Sequence, residues 1–432
     1  MTAEHLQAGS GNLPLPVLAR WRAGNQAEEH GVTAIVSLRF AGLTAPVELR
    51  GCPEIVETVN EVAPGWQFEI LSACAAPPFI TVARLADDTL MVSRRGGPTR
   101  RLNRVNAVCE LIASMGQELL RWQPHLLCLH AAAVEIGGRL VVFPNTRRSG
   151  KSTLAACLAH RGFRVFTDDY LPIETARDGR IVGRATGVQT RLRLPLPTEF
   201  SATMRAGLEA QFGERNAQYV FLKAPRPVPH GETAPIGAVV FLERSAAAAP
   251  ELRPARPSDA INRLLKQNFA RGMHSADVLG SLSAISQTAS LHHLRYASAE
   301  SAADALASTM AAYQGAPVPH YAIRARAAEG PAPISANTRA DPSARYAQAA
   351  GVREILSDDQ CFLADAQGIA VHRLNEGAIA IWRLLEEAMS PAEIADVIHA
   401  QFPAVPSLTA LNDTVALLDE LLRNRLIVCA SD

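Results

Sequence analysis

Apolar and polar positions follow two different periods along the chain, and changes of period divide it into regions. Residues 1–31 show no sustained period and are expected to be loosely ordered. Residues 32–103 combine short strand-like runs with one helical stretch, which predicts a small α+β lobe. A longer helical pattern then begins near residue 104. Its apolar positions share one face: Val105, Val108, Leu111, Ile112 and Met115.

The stretch 104–324 is expected to form an α/β domain. Within it, "LLCLHAAAVEIGGRLVVFPN" holds two apolar runs joined by Gly137-Gly138, which is a hairpin signal. The second run leads into a basic turn and then into an apolar helix, "STLAACLAHRG", with Gly162 at its end. "FRVF" follows as a short buried strand, expected to lie beside the strand that precedes the turn.

The last third of the chain is patterned differently. Residues 325–342 carry small and turn-forming residues and are expected to be an interdomain linker. In residues 343–432, two strands precede a helix capped by Asn375, and a capping box at 390–393 starts a second helix. A third helix is expected from about Leu411 to Asn424. This order predicts a compact winged-helix type of module.

Composition narrows the class of protein. A chain of 432 residues is expected to form two or three domains. Its 42 basic and 42 acidic residues balance, so no overall field favours nucleic acid or membrane as a partner. The seven cysteines are scattered without metal-ligand spacing, and the sequence shows neither a signal segment nor an apolar membrane span. A cytoplasmic location is therefore expected.

The basic turn has the spacing of a phosphate-binding loop, and we call residues 145–153 the phosphate loop. Such a loop needs converging backbone N–H groups, a helix amino terminus behind them, and a lysine that reaches the outer phosphates. The residues expected to bind nucleotide are Asn145, Thr146, Arg147, Arg148, Ser149, Gly150, Lys151, Ser152 and Thr153. The alternative is a basic surface turn that ends a strand.

Two features of the phosphate loop leave alternatives open. Asn145 stands where the first glycine belongs, but asparagine visits positive φ at a cost of roughly 1 kcal/mol, so binding is expected to survive. Arg147 and Arg148 either contact phosphate or remain solvated on the surface.

Three further residues carry candidate chemistry. The Ser152 hydroxyl is placed to ligate Mg²⁺ between phosphates. Asp168 and Asp169, here named the carboxylate pair, follow the "FRVF" strand. Carboxylates at the end of a strand beside the loop strand are what metal binding and activation of a hydroxyl both require. His130 precedes Lys151 by 21 residues and is a candidate because the hairpin brings it toward the pair. Ordinary turn aspartates and a structural histidine are the alternatives.

With His130, "RSGKST" and "TDDY" in this order, residues from about 104 to 315 resemble the HPr serine kinase/phosphorylase family, whose nucleotide site is related to that of PEP carboxykinases. The resemblance implies ATP and Mg²⁺ as cofactors and transfer of a phosphoryl group to a serine. It implies that Lys151 holds phosphates and that Ser152 and Asp169 ligate magnesium. Asp168 would orient or deprotonate the acceptor hydroxyl, and His130 would support Asp168.

One segment departs from that family. The glycine-rich stretch expected downstream is replaced by "TGVQTRLRLPLP". Arg191 and Arg193 in this stretch either contact phosphate or substrate, or are exposed strand residues, and we favour the exposed position.

Residues from about 344 to 431 resemble PqqD, a small peptide-binding module. The similar stretches are "FLADAQGIAVHRLNEGAIAIWRLLEEAMSPAEIADVI" and "VALLDELLRNRLIV". The resemblance implies that a leader peptide adds as a strand to a sheet edge. For Ile381 and Trp382 we expect core packing rather than peptide contact.

Together these patterns favour an ATP-dependent serine kinase acting on a ribosomally made precursor peptide. Tethering the peptide module to the kinase-like domain would raise the local peptide concentration. A second hypothesis is a non-catalytic, nucleotide-binding chaperone that serves other peptide-modifying enzymes as partners. A third, a metabolic HPr kinase, leaves the carboxyl-terminal module unexplained.

Overall fold

The computed structural model describes residues 34–71, 76–144, 149–246, 249–270, 272–311, 324–328 and 339–430. They form two compact units with mixed α/β structure. Of the described residues, the larger unit takes those up to Arg253 together with those within Gln267–Gly272 and His292–Gln314, and the smaller unit takes the remainder. Each unit therefore consists of three chain segments. Among the described helices, none is long and apolar enough to cross a lipid bilayer.

The larger unit begins with what we call the amino-terminal lobe. Its elements are β1 (Ile35–Phe40), β2 (Val47–Arg50), α1 (Glu54–Val62), β3 (Phe68–Leu71), β4 (Ile80–Arg84), β5 (Leu90–Arg94), β6 (Thr99–Leu102) and α2 (Arg104–Trp122). The strands form one sheet in the order β3-β1-β2-β4-β5-β6. The predicted apolar face of α2 is confirmed, since all five of its residues are buried. Three of these, Val108, Leu111 and Met115, are fully buried against the core of this sheet, so α2 completes the lobe.

A second, larger sheet follows. The elements of this region are β7 (Leu127–Leu129), β8 (Ala132–Ile136), β9 (Arg139–Phe143), α3 (Lys151–His160), β10 (Arg164–Thr167), β11 (Leu171–Thr175), β12 (Ile181–Arg184), β13 (Arg191–Arg193), α4 (Ala202–Glu209), β14 (Phe212–Arg215), β15 (Tyr219–Leu222), β16 (Thr233–Arg244), β17 (Glu251–Pro254), α5 (Pro257–Gln267), α6 (Ser275–Thr288), β18 (Ser290–Tyr296) and α7 (Ala299–Ala311). The path β10-β8-β9-β16-β12-β11-β7 forms the sheet, and β18 joins it beside β16. Strands β13, β15 and β14 form a small separate sheet.

The order of β8, β9 and β10 sets up the candidate site. The predicted hairpin is confirmed, with Gly137 and Gly138 at φ +61° and +75° between β8 and β9. The expectation that β10 lies directly beside β9 is wrong, because the hairpin places β8 between them. Since both strands are antiparallel to β8, β9 and β10 run in the same direction. Their carboxyl ends, which lead to the phosphate loop and the carboxylate pair, therefore meet at one edge.

Helix α3 lies over this sheet and packs against α7. It is apolar on nearly all sides, and its buried residues include Leu154, Ala156 and Leu158. The surrounding core includes Phe143 at the end of β9 and Tyr296 at the end of β18. A helix enclosed in this way has its amino terminus fixed relative to the sheet edge.

The carboxyl-terminal region belongs to the smaller unit. Its elements are β19 (Arg324–Ala327), β20 (Tyr346–Gln348), β21 (Arg353–Ser357), β22 (Gln360–Ala364), β23 (Val371–Leu374), α8 (Glu376–Leu384), α9 (Pro391–Gln401), α10 (Ser407–Arg423) and β24 (Ile427–Cys429). The main sheet has the order β19-β21-β22-β23, and β20 pairs with β24. The Asn375 cap and the Ser390–Glu393 capping box are confirmed, while α10 begins four residues earlier than expected.

Two features of the smaller unit are not visible in the sequence pattern. Residues 254–266 and 273–291, from the stretch 104–324 expected to form one domain, belong to it. Their helices α5 and α6 contribute Ile261 and Leu279 to a small core with Phe362 of β22. In addition, residues 325–327 of the expected linker lie in β19.

Candidate active site

The amino terminus of α3 is held by a close approach between backbone and side chain. Gly150 precedes the helix at φ +93°, a conformation that residues with a Cβ rarely adopt. A Cβ at this position would lie 2.8 Å from the Tyr296 hydroxyl, which donates a hydrogen bond to the Ser149 carbonyl at 3.3 Å. A residue with a Cβ would therefore be strained at this position.

Lys151 and Ser152 form the first turn of α3. Lys151 is only 6% exposed, which is unusual for a lysine, and its charge helps to lower the pKa of Asp169. The Ser152 hydroxyl donates to the main-chain carbonyl of Asp168 at 3.5 Å. The helix amino terminus and the carboxylate pair are thus neighbours.

Asp168 is half-buried and tightly held. Its Oδ2 accepts a hydrogen bond from the backbone N–H of Arg191 at 3.1 Å. Burial, reinforced by the charge of Asp169, raises the pKa of Asp168 to about 6, and Arg191 and Ser152 oppose this rise. A carboxylate with this pKa is mostly ionised at neutral pH and still basic enough to accept a proton.

Asp169 has the opposite electrostatic character. Its side chain is 56% exposed, and Oδ1 lies 3.5 Å from Nε2 of His130. The hydrogen bond with His130 is the largest cause that lowers the pKa of Asp169. Burial opposes it as the second-largest cause, and the positive charges of Arg191 and Lys151 add smaller lowering effects. Asp169 is therefore ionised across the physiological range.

Strand pairing explains how His130 reaches this position. β7 and β11 are antiparallel, with Leu129 opposite Leu171. The residue after Leu129 and the residues before Leu171 therefore meet at the strand ends. The backbone N–H of His130 also donates to the carbonyl of Gln267 at 2.8 Å, which fixes its main chain.

The structure therefore brings most of the predicted site residues together. Ser149, Gly150, Lys151, Ser152 and Thr153 lie at or in the first turn of α3, next to the carboxylate pair and His130. Asn145, Thr146, Arg147 and Arg148 lie outside the described residues.

The donor atoms fit Mg²⁺ bound together with phosphates. Within the described ranges, no group of three or more His, Cys, Asp or Glu side chains is arranged to hold a metal. Mg²⁺ commonly binds through one or two carboxylates plus phosphate oxygens and water rather than in an all-protein cage. Ser152 and Asp169 supply oxygen ligands of this kind.

Arg191 is the residue that sequence reasoning placed wrongly. We expected an exposed strand residue, but its side chain is only 32% exposed and Nη2 lies 4.0 Å from Oδ2 of Asp169. Arg193, two residues on, is exposed as expected. Both guanidinium groups lie over the ring of Tyr219, at 5.0 and 5.5 Å from its centroid. No local motif distinguishes the two arginines, because only the tertiary fold brings one to the pair.

A small cavity lies beside the carboxylate pair. It has a volume of about 30 Å³ and is lined by residues of α2, of β10 and its following turn, and of the segment before β13, including Cys109, Asp168, Tyr170 and Gln189. This space is suited to one or two water molecules and is far smaller than ligand pockets of roughly 300–1,000 Å³. This cavity is therefore too small to hold a nucleotide.

The smaller unit offers a different surface, the outer edge of β23. Among the described strands β23 ends its sheet. The Asp365 N–H donates to the Ala370 carbonyl, so Asp365 and Ala370 form a hydrogen-bonded pair that continues the register of β22 and β23. In an antiparallel pair of strands, hydrogen-bonded and non-hydrogen-bonded residue pairs alternate, so Val371 and Arg373 fall in non-hydrogen-bonded pairs. Val371 and Arg373 then direct their N–H and C=O groups away from β22.

The core of this unit accounts for the apolar sequence pattern. Trp382 is fully buried, and its indole N–H donates to Glu354 at 2.7 Å. Ile381 is 6% exposed. The expectation of core packing for both residues is confirmed.

A protein-family model matches part of the carboxyl-terminal region. No curated protein matches the chain. Residues 360–427, from β22 to the start of β24, match the family model of coenzyme PQQ synthesis protein D, PqqD. Domains of this family bind precursor peptides of ribosomally made, modified peptides. The chain therefore carries a PqqD-family domain, which indicates a peptide-binding role in peptide modification.

Proposed function

We propose that the chain is an ATP-dependent kinase related to HPr serine kinases, which phosphorylates a serine of a precursor peptide recruited by its PqqD domain. The observation that carries this proposal is the meeting of Lys151 and Ser152, at the amino terminus of α3, with Asp168 and Asp169. Two adjacent carboxylates with opposite pKa shifts suit two different roles, one basic and one ionised.

The amino terminus of α3 would bind the triphosphate. The backbone N–H groups of its first turn and the helix dipole favour an anion, and the ammonium group of Lys151 adds a full positive charge. Gly150 allows the backbone to come close to the phosphates. Mg²⁺, held by Ser152 and Asp169, would neutralise phosphate charge.

Asp168 would act on the acceptor. As the serine oxygen bonds to the γ-phosphorus and the bond to the β-phosphate oxygen breaks, Asp168 accepts the hydroxyl proton and ADP leaves. A pKa of about 6 leaves Asp168 ionised and able to accept that proton at neutral pH. His130 was expected to support Asp168, but its contact at 3.5 Å is with Asp169, which it would keep ionised and oriented.

The PqqD domain would supply the peptide. An extended leader segment adding to the β23 edge would bond with the outward main-chain groups of Val371 and Arg373. Main-chain bonding gives affinity with little demand on sequence, so a serine elsewhere in the same peptide remains available for transfer.

The direct test is incubation of the full chain with ATP, Mg²⁺ and the peptide encoded by a short reading frame beside its gene. The expected product is the peptide carrying one added phosphate on serine, detected by mass spectrometry. Lys151→Ala should abolish the product. Lys223→Ala is the matched control, because Lys223 is an exposed lysine in a surface ion pair with Glu61.

Two other results would reject the proposal. Nucleotide binding without transfer, in the presence of a peptide that binds the PqqD domain, would select the non-catalytic chaperone. Equal transfer by wild type and Lys151→Ala would show that the phosphate loop takes no part.

A further inference from the structure

Arg191 contacts both members of the carboxylate pair. Its backbone N–H donates to Oδ2 of Asp168 at 3.1 Å, and its Nη2 lies 4.0 Å from Oδ2 of Asp169. One residue thus contacts Asp168 through the main chain and Asp169 through the side chain. Displacement of this backbone would alter both carboxylates together.

The guanidinium group has little freedom to move away. It lies over the Tyr219 ring at 5.0 Å and against the Cys109 side chain of α2. A cation over an aromatic ring is attracted by the ring quadrupole, and partial burial strengthens the attraction. Of the two arginines over Tyr219, only Arg191 has an ion-pair contact with Asp169.

The segment before Arg191 is bound to the amino-terminal lobe. Gly65 N–H donates to the Gly187 carbonyl at 3.0 Å, and Gln189 N–H donates to the Val62 carbonyl at 2.8 Å. The two glycine backbones are so close that a Cβ on Gly65 would lie 2.8 Å from the Gly187 Cα. The lobe therefore fixes the main chain immediately before Arg191.

We propose that Arg191, held by the amino-terminal lobe, is a positioning residue that sets the geometry and charge of the carboxylate pair. The inference rests on the proposed function, in which Asp169 binds metal and Asp168 receives the acceptor proton. It also gives the amino-terminal lobe a role, since its sheet and helices support the segment that carries this arginine. The positive charge of Arg191 competes with a metal ion for Asp169, and its backbone N–H orients Asp168.

The test compares Arg191→Ala, Arg191→Lys and Arg193→Ala. Arg193→Ala is the matched control, because it also removes a guanidinium over Tyr219 from β13 but leaves the carboxylate pair intact. The first readout is the affinity of the full chain for Mn²⁺ alone, from the spectroscopic signal of free Mn²⁺. The second is kcat and KM for peptide phosphorylation. Thermal unfolding confirms that each variant is folded.

In Arg191→Ala, the Mn²⁺ affinity and kcat are expected to change while KM for the peptide is not. Loss of the competing cation should tighten Mn²⁺ binding about tenfold in Arg191→Ala, whereas loss of structure would weaken it. The kcat should fall at least about tenfold while KM for the peptide stays within about twofold, since the peptide binds elsewhere. Arg191→Lys should retain wild-type Mn²⁺ affinity and part of kcat, and Arg193→Ala should match the wild type.

Equal effects of Arg191→Ala and Arg193→Ala would overturn the inference, as would unchanged, weaker or undetectable Mn²⁺ binding in Arg191→Ala. Failure of the proposed function is distinguishable. If the wild type transfers no phosphate but the Mn²⁺ affinities follow the expected order, the kinase proposal fails and the assignment of Arg191 stands.

Discussion

The carboxylate pair in the larger unit and the outer edge of β23 in the smaller unit are opposite kinds of candidate recognition surface. The pair depends on a few charged side chains, held by Arg191, His130 and the first turn of α3. The β23 edge offers main-chain groups, and the side chains beneath it serve the core. A single side-chain change should therefore disable the first surface. The second should fail only when the backbone or its packing is altered.

After the loss of product expected for Lys151→Ala, the largest expected effect is that of Asp168→Asn. The amide keeps the shape of the side chain but cannot accept the acceptor proton, so the transfer rate should fall by about 10²–10⁴-fold. Nucleotide and peptide affinities should change little, as measured by titration. Asp178→Asn is the control, because Asp178 is an aspartate paired with Arg180 on the surface. A variant with normal rate would remove Asp168 from the mechanism.

The second prediction concerns the core beneath β22, the strand next to the β23 edge. Phe362 of β22 is fully buried against residues of α5 and α6. Phe362→Ala should therefore lower the free energy of unfolding by about 3–5 kcal/mol. Urea unfolding of the full chain measures this loss. Ile369→Ala, at a residue 76% exposed, should change stability by less than about 0.5 kcal/mol. Similar losses for both variants would contradict this account of the core.

The fold shows which features could be predicted from the sequence and which could not. The hairpin at Gly137-Gly138, the face of α2 and the capping box at Ser390 were predictable, because each depends on residues within one or two turns. The position of β8 between β9 and β10 was not, because strand order depends on partners distant in sequence.

The candidate site likewise has one part that the sequence predicts and one part that only the fold reveals. The phosphate loop is a continuous motif, whereas Arg191 reaches Asp169 only through the small sheet of β13–β15 and the amino-terminal lobe. The contribution of α5 and α6 to the smaller unit has the same cause, since their apolar faces could pack on any sheet. Local patterns identify elements, but they do not identify neighbours.

A smaller effect is expected at the β23 edge itself. Arg373→Pro removes one outward N–H without affecting a bond to β22, and a typical hydrogen bond contributes about 0.5–1.5 kcal/mol. Peptide affinity should therefore fall by up to about tenfold. Arg373→Ala separates the loss of the side chain from the loss of the N–H and should bind the peptide nearly normally. If alanine weakens binding as much as proline, a side-chain contact rather than the main chain is responsible.

The smallest effect at neutral pH concerns the amino-terminal lobe. His230 is stacked on Trp66 with ring centroids 3.8 Å apart, and its Nδ1 bonds to the Thr186 carbonyl. Burial, with a smaller effect of Arg184, lowers the pKa of His230 to about 4 despite that bond. The folded state therefore prefers neutral histidine.

The stability contributed by this preference is fully present above the unfolded pKa of about 6.5 and is lost as pH falls toward 4. The loss should stay below about 1 kcal/mol down to pH 6 and then increase. Unfolding measured against pH should show this slope in the wild type. His230→Phe keeps an aromatic ring on Trp66, and its free energy of unfolding should depend less on pH. An unchanged pH dependence in this variant would assign the effect to another group.

The central claim is that a triphosphate binds at the amino terminus of α3 beside Lys151. The chain contains only three lysines, Lys151, Lys223 and Lys266, so labelling with an acyl-phosphate derivative of ATP can be mapped to single residues. The account predicts that Lys151 is labelled and that excess Mg²⁺–ATP prevents this labelling, while any labelling of the other two lysines is unaffected. Labelling of Lys151 that ATP does not reduce, or ATP-protected labelling of Lys223 or Lys266 instead, would contradict it.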